Sequence, residues 1–526
     1  MTESRKRRNP NLLQKNEKSL IPLPLQSRSA ISVYTGYPSS YRVGMSNLGF
    51  HFMYGFLRSY PGLKVERFFA NTSGLTIESG SMISRAAVLL FSVSYEEDYI
   101  NLVRILRNAG IEPLRYRRNH RPVLIVGGAA VSANPAVLSD IADVVVLGEG
   151  EFPLQSITEC LLGTGGALDD ITEKIAAVPG VYVPGVNEGE AAFSPHAEAD
   201  MLAQSVIITP DTVFGNTFMI ETGRGCPGRC SFCLASSIYG PFRTIPADEF
   251  DRRLSACSVE SAKVGLVSTA VAAHPEFGRI IELLVSSGHR AALSSLRAED
   301  LDSEKIRHIT SAGIRSVSLA PETGSERLRF AIGKMVKDDV YMSSAHMLAE
   351  GGVTNFNLYL LTGYPGEEDG TLVETKKFLS RFKRAIGNRR LSVHVNFVIP
   401  KPWTPLQFFG MPEGKALSKR LTSMKINCSD IVYSIKVKSV RSALRQAVLS
   451  LGDGRVGAAI VRYAEGRTSW RTALEAEGLD PEFVHRRRGV DRLLPWEIVE
   501  GPVKRDSLLK RFESIIAGTS GNSRIT

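Results

Sequence analysis

Cysteine is scarce in this chain, six in 526 residues, which is too sparse for a disulfide framework. Tryptophan is scarcer still, at three. No stretch reaches 18 consecutive apolar residues, so no membrane-spanning helix is expected. The N-terminus, MTESRKRRNPNLLQKNEK, is basic but has no apolar core, which excludes a signal peptide. With reduced cysteines, these absences predict a cytoplasmic protein. The net charge of +10 is uneven: residues 1–20 hold six Lys/Arg against two Asp/Glu, and residues 430–526 hold seventeen against twelve. The middle is therefore nearly neutral. Basic ends could steer an anionic partner, nucleic acid included, although scattered solvated charge is the commoner cause. What remains is ordinary globular material, 43% hydrophobic and 22% charged, enough for two to four domains.

Three of the six cysteines crowd into one stretch, Thr217–Arg243, TFMIETGRGCPGRCSFCLASSIYGPFR. Cys226, Cys230 and Cys233 form a C-x3-C-x2-C pattern behind an apolar strand-like run. Three thiolates on a loop leaving a strand suit three irons of a four-iron cluster, with the fourth iron open to a small molecule. Zinc is the alternative, but a closed zinc site needs four ligands and no C-x2-C or H-x3-H partner follows. A purely structural cluster would require Cys257 or Cys428 as fourth ligand. Cys160, Cys257 and Cys428 read otherwise as spare buried thiols.

The chain divides by pattern. Residues 1–28 read as a disordered basic tail. Residues 29–153 alternate strand and helix, predicting a doubly wound parallel sheet with strands at Lys64–Phe69, Ala86–Val93, Val123–Val126 and Ala142–Leu147. Its ligand rim would carry Gly44–Gly49, Ser92–Tyr95, Gly127-Gly128 and Gly148–Glu151. Residues 154–215 read as a connector. Residues 216–405 repeat strand and helix, with strands after the cysteine loop at Lys263–Val267, Arg290–Ser294, Ser316–Ala320, Asn355–Leu361 and Ser392–Val398. Residues 406–526 read as mainly helical, with a basic cluster at His485–Arg488 that is either a phosphate site or a solvated face.

The cysteine loop resembles the signature of radical S-adenosylmethionine (radical SAM) enzymes. The phrases YRVGMSNLGFHFMYGFL, FSVSYEEDY, LIVGGAAVSANP, APETGSERLR and LTGYPGEE look like an uncharacterised bacterial family of that kind with an N-terminal cobalamin-binding-like domain. The resemblance implies a 4Fe-4S cluster on Cys226, Cys230 and Cys233 in a partial (β/α)6 barrel. It also implies S-adenosylmethionine as co-substrate, cleaved reductively to a 5′-deoxyadenosyl radical, and an electron donor such as flavodoxin or ferredoxin. Under it, Ser268 would meet the methionine amino group and Arg297 its carboxylate. Ser295 and Glu322 would take the ribose hydroxyls or the ammonium. Phe232 and the loop from Gly363 would line the adenine site. In the N-terminal sheet, Ser92, Gly127, Gly128, Gly148 and Glu149 would meet cobalamin, glycine letting the corrin tail approach the backbone. The D-x-H-x-x-G motif of the lower cobalt ligand is absent, and His51 reads as structural. The sheet is thus either a cobalamin site, with methyl transfer as outcome, or a scaffold. Radical modification of RNA or protein without cobalamin, and a non-enzymatic iron–sulfur protein, are the alternatives.

Overall fold

The computed structural model describes residues 10–20, 30–118, 122–164, 171–257 and 263–519. The N-terminal domain is built on six strands: β1 (Ile31–Tyr37), β2 (Leu63–Phe69), β3 (Val88–Ser92), β4 (Val123–Gly127), β5 (Val144–Val146) and β6 (Val181–Tyr182). Their order is β2-β1-β3-β4-β5-β6, parallel except for β6. Val33, Val65, Val88, Ile125 and Val144 are buried on one face, Leu89, Phe91, Leu124, Val126 and Val145 on the other. Both faces are covered, which is why these strands read as unbroken hydrophobic runs. The order reverses between β1 and β3, so a crevice opens there at the carboxyl ends.

Two expectations need correction. Within the tail expected to be disordered, residues 10–20 are ordered: a helix spans Pro10–Lys15, and Lys18–Ser19 pairs antiparallel with Ile207–Ile208. Glu17 grips the buried Arg67 guanidinium at 2.7 and 2.8 Å, an ion pair across 50 residues that local pattern does not reveal. The remainder of residues 1–28 lies outside the described residues. The connector, in turn, belongs partly to the sheet, supplying β6 and most of helix Glu151–Gly163.

The second domain is the barrel: β7 (Thr217–Glu221), β8 (Lys263–Val267), β9 (Arg290–Leu293), β10 (Ser316–Glu322), β11 (Asn355–Thr362) and β12 (Arg390–Phe397). Strands β7 to β9 form one parallel sheet and β10 to β12 another, joined by a Leu296–Leu319 bridge. The six strands fall where the alternation placed them. A seventh, β13 (Ser434–Val437), extends the second sheet in parallel beside β12, so the barrel sheet continues past residue 405 into the region read as helical. At the opposite edge, Ser205 N–H donates to Met219 O and Glu221 N–H to Ala203 O, both 2.9 Å, covering β7. No described helix is long and apolar enough to cross a membrane.

The C-terminal helices strap the domains together. Glu96, fully buried, is held by Lys401 beyond β12 and by Gln446 Nε2 at 2.9 Å. Burial would raise the Glu96 pKa, but the Lys401 ammonium and Gln446 amide hold it below its ordinary value. Glu97 pairs with Arg445 at 3.0 Å, and Asn134 Nδ2 donates to Gly452 O at 2.8 Å. At Gly457 an added Cβ would stand 2.4 Å from Val137 O, so this helix approaches the first domain only because it carries glycine there.

Candidate active site

The carboxyl rim of the N-terminal sheet and the inner wall of the barrel share one cavity of about 630 Å³. From the sheet it is lined by Ser92, Gly127, Gly128 and Gly148, and from the barrel by Met219, Gly265, Ser268 and Ser294. Gly128 has φ 113°, and an added Cβ would meet Val93 O at 2.6 Å. A bare backbone is compulsory at this point of the rim. Ser268 lies at the end of β8, its carbonyl accepting from Ser294 Oγ at 2.8 Å. Ser295 is exposed and does not line the cavity; its neighbour Ser294 does. A one-residue step along a strand turns a side chain to the other face.

The cysteine loop leaves β7 at this cavity. Cys226, Cys230 and Cys233 are half-buried and unbonded to one another. Burial pushes the Cys230 thiol up to about 12, against the Lys334 ammonium, and the two other thiols add to the rise. The three thiols thus lie within electrostatic reach of one another. Gly228 N–H donates to Cys226 Sγ at 3.4 Å and Arg297 Nη1 approaches it at 4.0 Å. Donors of this kind tune a thiolate-bound cluster. Among the described residues, no three or more His, Cys, Asp or Glu side chains are grouped so as to hold a metal ion. The donor set, three thiols and hydrogen bonds to sulfur, fits a cluster better than a lone cation.

Around the loop stand the other expected residues. Phe232 meets Tyr364 edge-on, ring centroids 5.9 Å apart. Gly363 has φ 95°, and its N–H donates to Glu367 Oε2 at 2.5 Å. Arg297 already donates twice to Glu299, at 2.9 and 2.6 Å, so any further carboxylate would share it. Glu322 is held at φ 67°, a strained setting for a residue with a Cβ. Burial raises its pKa while Lys334, 3.1 Å away, opposes the rise. Lys334 was not foreseen, since it lies twelve residues downstream of its partner.

Glu149 sits at the same cavity, but its carboxylate is occupied. It pairs with Arg224 at 2.9 Å, Arg243 at 2.5 Å and His196 at 3.3 Å, and accepts from Ala197 N–H at 3.0 Å. Its observed contacts tie the first domain to the cysteine loop, with no oxygen left pointing at a ligand. Arg224, two residues before Cys226, also grips Glu221 at 2.8 Å and Glu151 at 2.7 Å. His51 is structural: it is buried, Nδ1 accepting from Val206 N–H at 3.2 Å and Nε2 donating to Met45 O at 3.0 Å. In the basic cluster Arg488 turns inward to Gln407 O and Phe409 O, while Arg487 lies over the Phe512 ring.

Comparison with known proteins agrees with this geometry. A model for the N-terminal region of radical SAM proteins matches residues 49–184, and the radical SAM superfamily model matches residues 220–379. An uncharacterized protein of Methanocaldococcus jannaschii is 26% identical over 461 residues, 86% of this chain and 95% of that one. Two solved structures are similar in fold. One is the radical S-adenosylmethionine methyltransferase TsrM from Kitasatospora setae, solved with tryptophan substrate and a SAM analog (TM-score 0.51, 14% identity, 72% of this chain and 75% of that one). The other is the cobalamin-dependent S-adenosylmethionine radical enzyme OxsB (TM-score 0.51, 16% identity, 67% and 52%). With both its N-terminal and its core domain matched, the chain belongs to the radical SAM superfamily and is a radical SAM enzyme.

Proposed function

We propose that the protein cleaves S-adenosylmethionine reductively at a 4Fe-4S cluster and uses cobalamin, held by the N-terminal sheet, to alkylate an unreactive carbon. One observation carries this reading: the glycine rim of a 2-1-3-4-5 sheet and the carboxyl ends of the barrel strands line a single cavity. Cys226, Cys230 and Cys233 would hold the cluster, which supplies the electron and the open iron. Gly127, Gly128 and Gly148 would let the second cofactor lie against backbone, as Ser92 and Ser268 offer hydroxyls on either side.

The residues of the chain then do the ordinary work of positioning. Arg297 places positive charge beside Cys226, stabilising both a thiolate and an incoming carboxylate. Glu322 and Lys334 hold a neutralised pair at the end of β10. Phe232 and Tyr364 make an apolar wall for a planar ring, and their burial keeps water from the reacting centre. The fold of the two solved neighbours supports the two-domain reading, and the inward turn of Arg488 removes one support for an RNA-binding alternative.

The test is metal analysis of protein made with cobalamin supplied and reconstituted anaerobically. About four irons per chain are expected on the three-thiolate logic, together with retained cobalt. Retained iron without cobalt would reduce the N-terminal sheet to a scaffold and overturn the cobalamin half of the proposal.

A further inference from the structure

The C-terminal helix, Arg505–Thr519, lies far beyond the cysteine loop in the chain and packs against it. Leu508, Phe512 and Ile515 recur at helical spacing and bury its inner face. Phe512 meets Phe408 and Phe409, ring centroids 5.2 and 4.7 Å away. Ile515 joins Leu328, Ile332 and Tyr364 in a small buried cluster, and Phe232, one residue before Cys233, packs on it. At the helix end, a Cβ added to Gly366 would stand 2.4 Å from Thr519 Cβ. The helix is thus fixed against the chain following β7, β10 and β11.

From this helix Arg511 reaches the cysteine loop. Its Nη2 donates to Arg229 O at 2.5 Å and, more weakly, to Ser231 Oγ at 3.5 Å, across 282 and 280 residues. These two residues flank Cys230. The same loop is pinned by the chain after β10: Ser231 N–H donates to Ile332 O at 2.8 Å, and a Cβ added to Gly333 would stand 2.9 Å from Arg229 O. The Arg511 guanidinium is half-buried, and no carboxylate pairs with it among the described residues. Burial and the neighbouring Arg229 charge depress its pKa, and the charge that favours its ionised form is that of the Cys230 sulfur. A cation kept partly from water calls for an anion. Three thiolates holding an iron–sulfur cluster supply one.

We propose that Arg511 is a positioning residue for the cluster, holding the cysteine loop through Arg229 O and lending its charge to the reduced, more negative state. The inference deepens the reading of Cys226, Cys230 and Cys233 as cluster ligands and rests on it. The step concerned is the entry of one electron from the reductant into the oxidised cluster, with no bond made or broken. A cation here raises the reduction potential, which follows the net charge around the irons.

Two measurements on the full chain test it. In reconstituted protein, a redox titration followed by electron paramagnetic resonance reads the cluster potential. Arg511→Met should shift the reduced-to-oxidised ratio at a fixed potential about tenfold towards oxidised, about 59 mV for one electron. Arg511→Lys, which keeps the charge, should recover most of that shift. Lys510→Met, which removes an exposed charge from the same helix, should leave the potential unchanged. In cluster-free protein, hydrogen exchange of the peptide spanning the loop should quicken about tenfold in Arg511→Met, as the Ser231 N–H loses its hold on Ile332 O. An Arg511→Met ratio within about twofold of the parent, an equal shift in Lys510→Met, or no recovery in Arg511→Lys overturns the charge role. Unchanged exchange overturns the holding role. Parent protein that binds no iron would defeat the proposed function, while exchange would still decide whether Arg511 holds the loop. An iron-loaded parent whose potential and exchange are both unmoved by Arg511→Met would defeat the role of Arg511 alone.

Discussion

Replacing Glu149 by Gln removes one negative charge and almost no volume from the junction between the domains. Arg243 then loses the carboxylate it touches and keeps only the carbonyls of Tyr239 and Pro241, at 3.0 and 3.1 Å. Arg224 stays paired with Glu221 and Glu151. Breaking a buried pair costs about 3–5 kcal/mol when the surviving charge is stranded. Here Arg243 retains 17% side-chain exposure and Arg224 retains partners, so the expected loss is about 2–3 kcal/mol. Arg224→Met strands Glu151 and leaves Glu221 with only the Ala203 N–H at 3.0 Å, and should cost more, about 4 kcal/mol. The assay is urea unfolding of the cluster-free protein under reducing conditions. Tryptophan fluorescence reports on Trp403, Trp470 and Trp496, and far-UV circular dichroism on the whole chain. Because two domains are involved, separation of the two curves in the variants is itself expected, as the junction loosens before either domain unfolds. A Glu149→Gln protein within about 0.5 kcal/mol of the parent, or an Arg224→Met protein milder than Glu149→Gln, would refute the reasoning.

Other outcomes follow from single contacts. Gly128→Ala should cost at least about 1–3 kcal/mol through its positive φ and its clash with Val93 O, read as a lowered thermal midpoint. Burial lifts the Asp98 carboxyl to about 7 against the helping hydrogen bond from Asn101. A carboxyl whose folded pKa is raised contributes stability that is complete below its unfolded pKa near 4 and is lost as pH rises toward 7. Asp98→Asn should therefore be more stable than the parent at pH 8, by about 2–4 kcal/mol, with the difference vanishing near pH 4. Arg488→Met should destabilise by about 1–3 kcal/mol by abandoning two buried carbonyls. Arg486→Ala, at an exposed ion pair, should stay within about 1 kcal/mol of the parent.

Much of the architecture was legible because it rests on local periodicity. Ala86–Val93 and Val123–Val126 read as buried parallel strands, and the alternation of polar and apolar residues over Asn355–Leu361 is plain in NFNLYLL. The cysteine loop was legible for another reason: three thiols at fixed short spacing serve few purposes. The misreadings share one cause, contacts between residues far apart in the chain. Order in residues 10–20 depends on Glu17 meeting Arg67, and the role of Glu149 on Arg224 and Arg243, 75 and 94 residues on. Ser295 was preferred to Ser294 because strand ends do not announce their register. Strand β13 was hidden by its setting between helices, although IVYSIKVKS does alternate.

The central claim is that Cys226, Cys230 and Cys233 carry a cluster that cleaves S-adenosylmethionine. Its most direct test is chromatographic measurement of 5′-deoxyadenosine from the anaerobically reconstituted protein with dithionite and S-adenosylmethionine. Release should require the reductant and disappear in each of Cys226→Ala, Cys230→Ala and Cys233→Ala, along with most of the iron. A fully iron-loaded protein that releases none, or a Cys230→Ala variant that releases as much as the parent, would contradict it.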